Sequence, residues 1–194
     1  MTRVITVYHS GYGHTKLQAE YVHAGAASCE GVEAILMTAE EGIANLDAFD
    51  SADAIIFGCP TYMGNISAKM KEFIEAAAKK WFSLAWKDKV AGGFTSSSGF
   101  SGDKLNTLVG LMINAMQHGM IWVSTGTLPA HSDPDSMNSV EGPGPHVQNR
   151  VGSFSGAMAG TFQVKPPDSP PPGDLETAKA YGLRIAETAK RLRG

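Results

Sequence analysis

The stretch VITVYHSGYGHT, residues 4–15, decides the fold class. Val4 to Tyr8 (VITVY) is a continuous rather than an alternating run, which predicts a strand covered on both faces, as in a parallel sheet. Ser10 to Thr15 forms a Gly-rich turn. From His14 to about Ala27 the content is helical, with Leu17, Tyr21 and Ala24 at spacings that share one face. A short apolar strand, a turn and an amphipathic helix therefore follow one another at the start of the chain.

The same alternation continues outward. Val32 to Met37 is a second strand candidate, and Ala54 to Gly58 (AIIFG) is the strongest of the set. It ends in Cys59-Pro60, where proline is expected to stop ladder pairing. Ile66 to about Trp81 reads as one helix. Met70, Phe73, Ile74 and Ala77 form its stripe, and Lys69, Lys71, Glu72 and Glu75 are turned outward. Lys89 to Phe94 is a fourth strand, weakened by Gly92-Gly93. Lys104 to Gln117 is a helix closed by His118-Gly119, and Met120 to Ser124 (MIWVS) is a fifth strand. Leu175 to Leu192 is the last helix. Asp174 is its N-cap candidate, and Lys190, Arg191 and Arg193 complement its C-terminal dipole.

Five strands separated by helices predict a three-layer, doubly wound α/β fold around a parallel five-stranded sheet of order 2-1-3-4-5, with right-handed crossovers. There is no internal repeat, and at roughly 100–200 residues per domain the 194 residues form one domain, 1–194. One segment departs from the alternation. Gly126–Gly173 is rich in Gly, Pro and Ser and ends in Pro166-Pro167 and Pro170-Pro171-Pro172. A connection of that length is usually functional or disordered. Phe154, Met158 and Phe162 give it something to bury, which favours a functional excursion, with the prolines as a stiff tether to the last helix.

Composition narrows the classes. Sixteen basic against 19 acidic residues give a formal charge of -3, with 43% apolar and 18% charged residues. That is a folded, globular composition. It offers no basic field for nucleic acid or a polyanionic membrane surface. Apolar runs such as Ala54 to Phe57 are far too short to span a bilayer. Met1 and Thr2 lead into an apolar stretch that stops at His9, so no signal-peptide core is expected. Cys29 and Cys59 are too few for a disulfide framework, and a reducing cytoplasmic location is the expectation.

In open α/β sheets ligands bind at the carboxyl ends of strands, near the switch in strand order, which here lies between strands 1 and 3. The loops at that edge are Ser10-Gly11-Tyr12-Gly13-His14-Thr15 and Cys59 to Asn65, with Thr95 to Gly102 (TSSSGFSG) beside them. The first opens a helix, so its free amides and the positive dipole end suit an anion. Ser10 and Thr15 add hydroxyls without charge. The alternative is a plain turn capped by Ser10. No Gly-Lys-Ser/Thr follows, so it is not a Walker loop, and Lys16 replaces the third glycine of a dinucleotide fingerprint. A planar heterocycle across the edge needs backbone donors and acceptors, which residues 61–65 and 96–102 supply. It also needs an aromatic wall, for which Tyr12, Tyr62, Trp81 and Phe100 are candidates unless they only pack.

Other chemistries on such a sheet find no residues. A phosphoacceptor domain needs clustered aspartates at the first and third strand ends, where this chain has Ser10 and Cys59. A low-molecular-weight phosphatase needs cysteine and arginine in the first loop. Cys59 reads as a small buried residue rather than a nucleophile. His9, His23, His131 and His146 have no metal-site spacing, so no metal is expected.

YHSGYGHT, GCPTYMGNISAKMKEFIE and TSSSGFSG followed by QHGM resemble the flavodoxin-like NAD(P)H:quinone oxidoreductases of the Trp-repressor-binding-protein (WrbA) type. The similarity runs from about Val4 to Gly126 and returns loosely at Gly152 to Gly160 and in the last helix. The resemblance implies bound FMN. Ser10, Gly11, Tyr12, Gly13, His14 and Thr15 match the phosphate loop. Pro60, Thr61, Tyr62, Met63, Gly64 and Asn65 match the loop along the isoalloxazine. Ser96, Ser97, Ser98, Gly99, Phe100, Ser101 and Gly102 match the second ring-and-ribityl loop. His118 matches a histidine that reaches the flavin and could lend the acceptor a proton, its alternative being a helix C-cap. Trp81 matches a tryptophan that walls the quinone and nicotinamide pocket, and Tyr12 a position contacting the nicotinamide. Three departures stand out. Tyr62-Met63 replaces an Arg-aromatic pair, Leu36 to Ala54 is short, and the loop after strand 4 carries one extra serine.

The resemblance thus implies a two-electron oxidoreductase in which FMN passes electrons from NADH or NADPH to a quinone or similar acceptor. The cofactor carries the chemistry and the protein orients and tunes it. An assembly of like subunits, a homodimer or homotetramer, is expected from the length and apolar content of 126–173. The alternatives are an FMN electron carrier without a substrate pocket, against which the modest charge argues, and a binding module that has lost its flavin.

Overall fold

The computed structural model describes residues 1–194. The central strands are β1 (Thr2–Tyr8), β2 (Val32–Thr38), β3 (Ala54–Tyr62), β5 (Val90–Ser97) and β6 (Ile121–Trp122), hydrogen-bonded in the order β2-β1-β3-β5-β6 and all parallel. This is the expected 2-1-3-4-5 order. A short β4 (Asn65–Ile66) turns back antiparallel on β3, and β7 (Ala157–Gly160) pairs parallel with β5. The helices are α1 (His14–Ala27), α2 (Ala39–Ala44), α3 (Ala68–Ala76), α4 (Ala78–Trp81), α5 (Lys104–Gln117) and α6 (Pro172–Arg193).

Alternate residues of each central strand feed opposite layers. Ile5, Val7, Ile55, Phe57 and Cys59 join Phe73 of α3, Leu108 and Leu111 of α5, and the buried Trp86. Val4, Tyr8, Ala54 and Ile56 join Val22 of α1 with Tyr181 and Ile185 of α6. A strand that serves two cores has no solvent face, which is why the strand patterns read as continuous apolar runs. Helices α1 and α6 meet through glycine. A Cβ on Gly25 would lie 1.9 Å from the Lys179 carbonyl oxygen, and one on Gly182 would lie 1.9 Å from that of Val22.

Several boundaries differ from the sequence reading, each for a local reason. The helix expected over 66–81 is two, because Asn65–Ile66 is drawn into β4 and the chain re-forms at Ala77 before α4. Pro60 does not end β3, which runs on to Tyr62 with Pro60 in register with Ser96. Gly58 accepts the His9 amide from the β1 side, and Pro60 faces that same side, where β1 has already ended. Its missing N–H therefore costs no ladder bond. The short helix α2 was not expected. Thr38 caps it, accepting from the Glu41 amide at 3.2 Å while Glu41 accepts from the Thr38 amide at 2.7 Å.

The excursion is spliced into the fifth strand position. β6 pairs only with Val90–Ala91, the chain then leaves the sheet, and β7 returns beside Phe94–Ser97. Part of Gly126–Gly173 is thus regular structure. Phe154 and Phe162 stay 53% and 42% exposed, and of the three apolar residues expected to give the segment something to bury only Met158, half-buried, packs against the core. The last helix begins at Pro172 rather than Leu175, and Asp174 is not its N-cap. Its carboxylate is committed to other partners.

Candidate functional site

The three Gly- and hydroxyl-rich loops meet at the carboxyl edge between β1, β3 and β5. After β1 the chain turns through Ser10–Gly13, with Gly13 at φ 92° just before α1. The Ser10 hydroxyl accepts the Gly13 and Lys16 amides, both at 3.1 Å. The amides of Tyr12, His14 and Thr15 have no partner within the chain and lie at the positive end of α1. Behind them the buried Thr15 hydroxyl bonds that of Ser96 at 2.9 Å, tying the first loop to the third.

β3 carries Pro60 to Tyr62 to the same edge. There Met63 (φ 48°) and Gly64 (φ 72°) make the turn into β4. The Thr61 hydroxyl lies 2.8 Å from those of Thr95 and Thr107, a buried chain of three that fixes the second loop to β5 and α5. Asn106 adds a bond to the Gly64 carbonyl at 2.7 Å. The Tyr62 hydroxyl sits over Gly11, where a Cβ would fall 2.3 Å away, and the Tyr12 ring meets the Tyr62 ring edge-on at 6.3 Å.

The third loop is held from behind by Lys104. This side chain is wholly buried, and its ammonium donates to the Ser97 hydroxyl at 2.9 Å and to the Gly99 and Phe100 carbonyls at 2.6 and 2.8 Å. Burial lowers its pKa to about 8, with Asp174 working against that shift and Arg150 adding to it. Arg150 in turn donates to Asp174 at 2.9 Å and lies 5.0 Å from the centre of the Phe100 ring.

The return of the excursion forms the fourth wall. Thr161 donates its amide to the Ser97 carbonyl at 2.8 Å, His14 bonds the Val164 carbonyl at 2.7 Å, and Pro166 packs on Gly13. Segment 161–166 therefore covers this chain's own first loop. The result is a cleft of about 350 Å³. From the first loop Gly11, Tyr12, His14 and Thr15 line it, and from the second Pro60, Thr61, Tyr62, Met63 and Gly64. Ser96, Ser97, Ser98 and Gly102 line it from the third, with Thr161 and Phe162. No carboxylate, lysine or arginine lies on its wall. A wider groove of about 990 Å³ shares the 98–102 loop as a wall and runs along Phe100, Leu105, Val109, Arg150, Phe154 and Met158.

Residues 20–135 match the family described as NADPH-dependent FMN reductase. Flavodoxin FldP of Pseudomonas aeruginosa is 39% identical over 99% of both chains. A WrbA-like flavodoxin structure from Agrobacterium tumefaciens is 38% identical, with a TM-score of 0.70 over 98% of this chain and 99% of that one. The chain belongs to the NADPH-dependent FMN reductase family, in its flavodoxin-like WrbA-type branch. An NAD(P)H dehydrogenase (quinone) of Syntrophobacter fumaroxidans is 28% identical over 98% of both chains.

Six residues expected in the loops of this WrbA-type protein stay off the cleft wall. Ser10 and Gly13 shape the turn, and Asn65 spends its side-chain oxygen on the Ile66 amide at 2.8 Å. Gly99 lies behind the wall, while Phe100 and Ser101 face the wider groove. His118 is the clearest correction. It ends α5, which starts at the cleft and runs 14 residues away, roughly 20 Å at 1.5 Å per residue. There it is 2% exposed and stacked on Trp86 at 4.4 Å, with its Nδ1 unpartnered and its pKa lowered by burial. A helix antiparallel to the strands puts its C-terminus at the far edge of the sheet, so His118 lies away from the cleft of its own chain.

Trp81 is corrected for the same reason. It ends the α3–α4 run at that far edge, beside Lys80, which pairs with Asp47 and Asp50, and it packs on Phe82 at 5.0 Å. It does not wall the cleft of its own chain. Sequence reasoning missed Thr161, Phe162, Arg150 and Lys104. For Lys104 a signal existed: a cation at the first position of a helix opposes the dipole and needs a reason to be there. Cys59 is fully buried, and burial pushes its thiol up to about 11, the inert setting expected of it. No group of three or more potential metal-ligating side chains occurs, and no helix is long and apolar enough to cross a membrane.

Proposed function

We propose that the cleft holds FMN and that the protein moves two electrons from NADH or NADPH to a quinone or similar small acceptor. The donor set fits the cofactor. Three free amides at the α1 N-terminus and the Thr15 hydroxyl suit a phosphate dianion, with no carboxylate on the wall to repel it. The backbone of Pro60 to Gly64 and of Ser96 to Ser98, with Gly102, would border the ring, and Tyr12, Tyr62 and Phe162 would face it. Bound there, FMN would supply hydride acceptance and delivery. The chain's part is to fix the phosphate, orient the ring through main-chain dipoles and keep the neighbouring groove open for the second substrate.

The observation that carries an enzyme rather than a carrier is the groove of about 990 Å³ beside the cleft, large enough for an acceptor and lined by Phe100, Leu105, Val109, Phe154 and Met158 among polar groups that include Asp103, Asn106 and Arg150. The flavodoxin relative supports the second reading, an FMN electron carrier. Stopped-flow mixing of the FMN-loaded protein with NADPH and with NADH separates them. Fast direct bleaching followed by reoxidation with a quinone is expected, and no direct reduction by either nucleotide would leave the carrier. Exposed Trp81, Phe82, Leu128, Met137 and Val140 support an assembly of like subunits, which a monomer mass by light scattering would overturn, and the two unpaired cysteines fit a reducing, cytoplasmic compartment.

A further inference from the structure

We propose that Lys104 is the positioning residue that sets how strongly the cleft prefers reduced over oxidised FMN, by fixing the Ser97 hydroxyl and the Gly99 and Phe100 carbonyls and placing an unbalanced positive charge directly behind the Ser97 wall. The inference rests on the reading of the cleft as an FMN site and goes beyond it to what tunes that site.

The charge is unbalanced because no carboxylate accepts from it. The three Lys104 N–H groups go to one hydroxyl and two carbonyls, all neutral. The charged groups that face it are Arg150 and Asp174. Asp174 is already committed, taking Arg150 on one oxygen and the Gly160 amide at 2.9 Å on the other. Asp103, next in the chain, points instead toward Gly64. Two cations and one carboxylate leave one positive charge in a dry interior, and the N-terminal end of α5 adds to it with the same sign. Ser97, 2.9 Å from the ammonium, lines the cleft, so a single hydroxyl separates the charge from the ligand space. Reduction of an isoalloxazine builds negative charge that the oxidised ring lacks. A fixed positive charge at this distance therefore favours the reduced form more. Burial holds the Lys104 pKa at about 8, which puts loss of that charge within reach of an ordinary pH titration.

The test is to measure dissociation constants for oxidised and reduced FMN, by flavin fluorescence and anaerobic spectroelectrochemistry, in the wild type, Lys104→Met and Lys104→Arg. In Lys104→Met the oxidised-to-reduced ratio of the constants is expected to fall tenfold or more, about 30 mV of two-electron potential. Lys104→Arg should keep most of the wild-type ratio. A role limited to loop structure weakens both forms together and leaves the ratio within twofold, which overturns the proposal. The wild type alone gives a second reading that needs no variant to fold. Its ratio should fall as pH rises through about 8, and a flat ratio from pH 7 to 9 also overturns the proposal. If the wild type binds neither form, the FMN reading itself fails and this inference with it.

Discussion

Arg150 Nε donates to Asp174 Oδ1 at 2.9 Å, and the two side chains are 5% and 1% exposed, the only ion pair of the chain with both partners so deeply buried. It joins the excursion to the first turn of α6. The second oxygen of Asp174 accepts the Gly160 amide at 2.9 Å and so fixes the end of β7. Burial raises the Asp174 pKa, and the Arg150 guanidinium pulls against that rise. Removing one partner leaves a dry, uncompensated charge. Asp174→Ala should therefore cost about 3–5 kcal/mol of unfolding free energy in urea titrations, more than Arg150→Met with Asp174→Asn combined. If the single variant costs less than the combined one, the pair is a surface-like contact.

The α1–α6 contact gives a second prediction. At Gly25 and Gly182 an added Cβ meets a backbone carbonyl oxygen at 1.9 Å, and backbone cannot rotate aside as a side chain can. Gly25→Ala and Gly182→Ala should each destabilise by about 1–3 kcal/mol or more, although alanine is the better helix former in isolation. Thermal melts check this, and an unchanged or higher Tm for either variant would show that the helices can separate freely.

The order of the sheet and the position of the cleft were legible in the sequence because both follow from repeating local patterns. Val4–Tyr8 and Ala54–Gly58 are strands serving two cores, and glycine-rich loops after them fall at one edge by topology alone. What was not legible depends on contacts distant in sequence. Thr161 joins the cleft because β7 pairs with β5, 64 residues from its partner Ser97. Pro60 stays in its strand only because β1 is one residue too short to need its amide. His118 and Trp81 were placed by resemblance of short motifs. Helix direction, which carries their positions to the far edge, is stronger than motif identity.

Ser10 has a structural task that an FMN titration can read. Its hydroxyl takes two amides that would otherwise compete with, or point away from, an anion at the α1 N-terminus. Ser10→Ala should lose about 0.5–2 kcal/mol of stability, as for other lost N-terminal caps. It should also weaken FMN binding roughly tenfold, equivalent to about 1.4 kcal/mol, because the Tyr12, His14 and Thr15 amides lose their fixed directions. An unchanged dissociation constant would mean that the loop keeps its shape without the cap.

Cys59 and Cys29 should differ sharply toward a thiol reagent at pH 8. Cys59 is fully buried with its thiol raised to about 11, while Cys29 is partly exposed. One equivalent should react in the native protein and two after unfolding. Mass mapping of the native label to Cys29 completes the test, and native labelling at Cys59 would show that the β3 edge opens readily.

The last prediction concerns stability against pH through Lys104. Its folded pKa, about 8, lies below the ordinary lysine value, so between the two the unfolded chain binds more protons than the folded one. The contribution of Lys104 is thus fully present above the unfolded value and is lost as pH falls through about 8. Urea denaturation of the wild type and Lys104→Met at pH 7, 8, 9 and 10 isolates the effect, since other titrating groups are common to both. The stability difference, wild type minus variant, should rise steadily from pH 8 to pH 10 and flatten below pH 7. A difference that falls over that range would mean that the ammonium, held by Ser97, Gly99 and Phe100, is more stable inside the protein than in water.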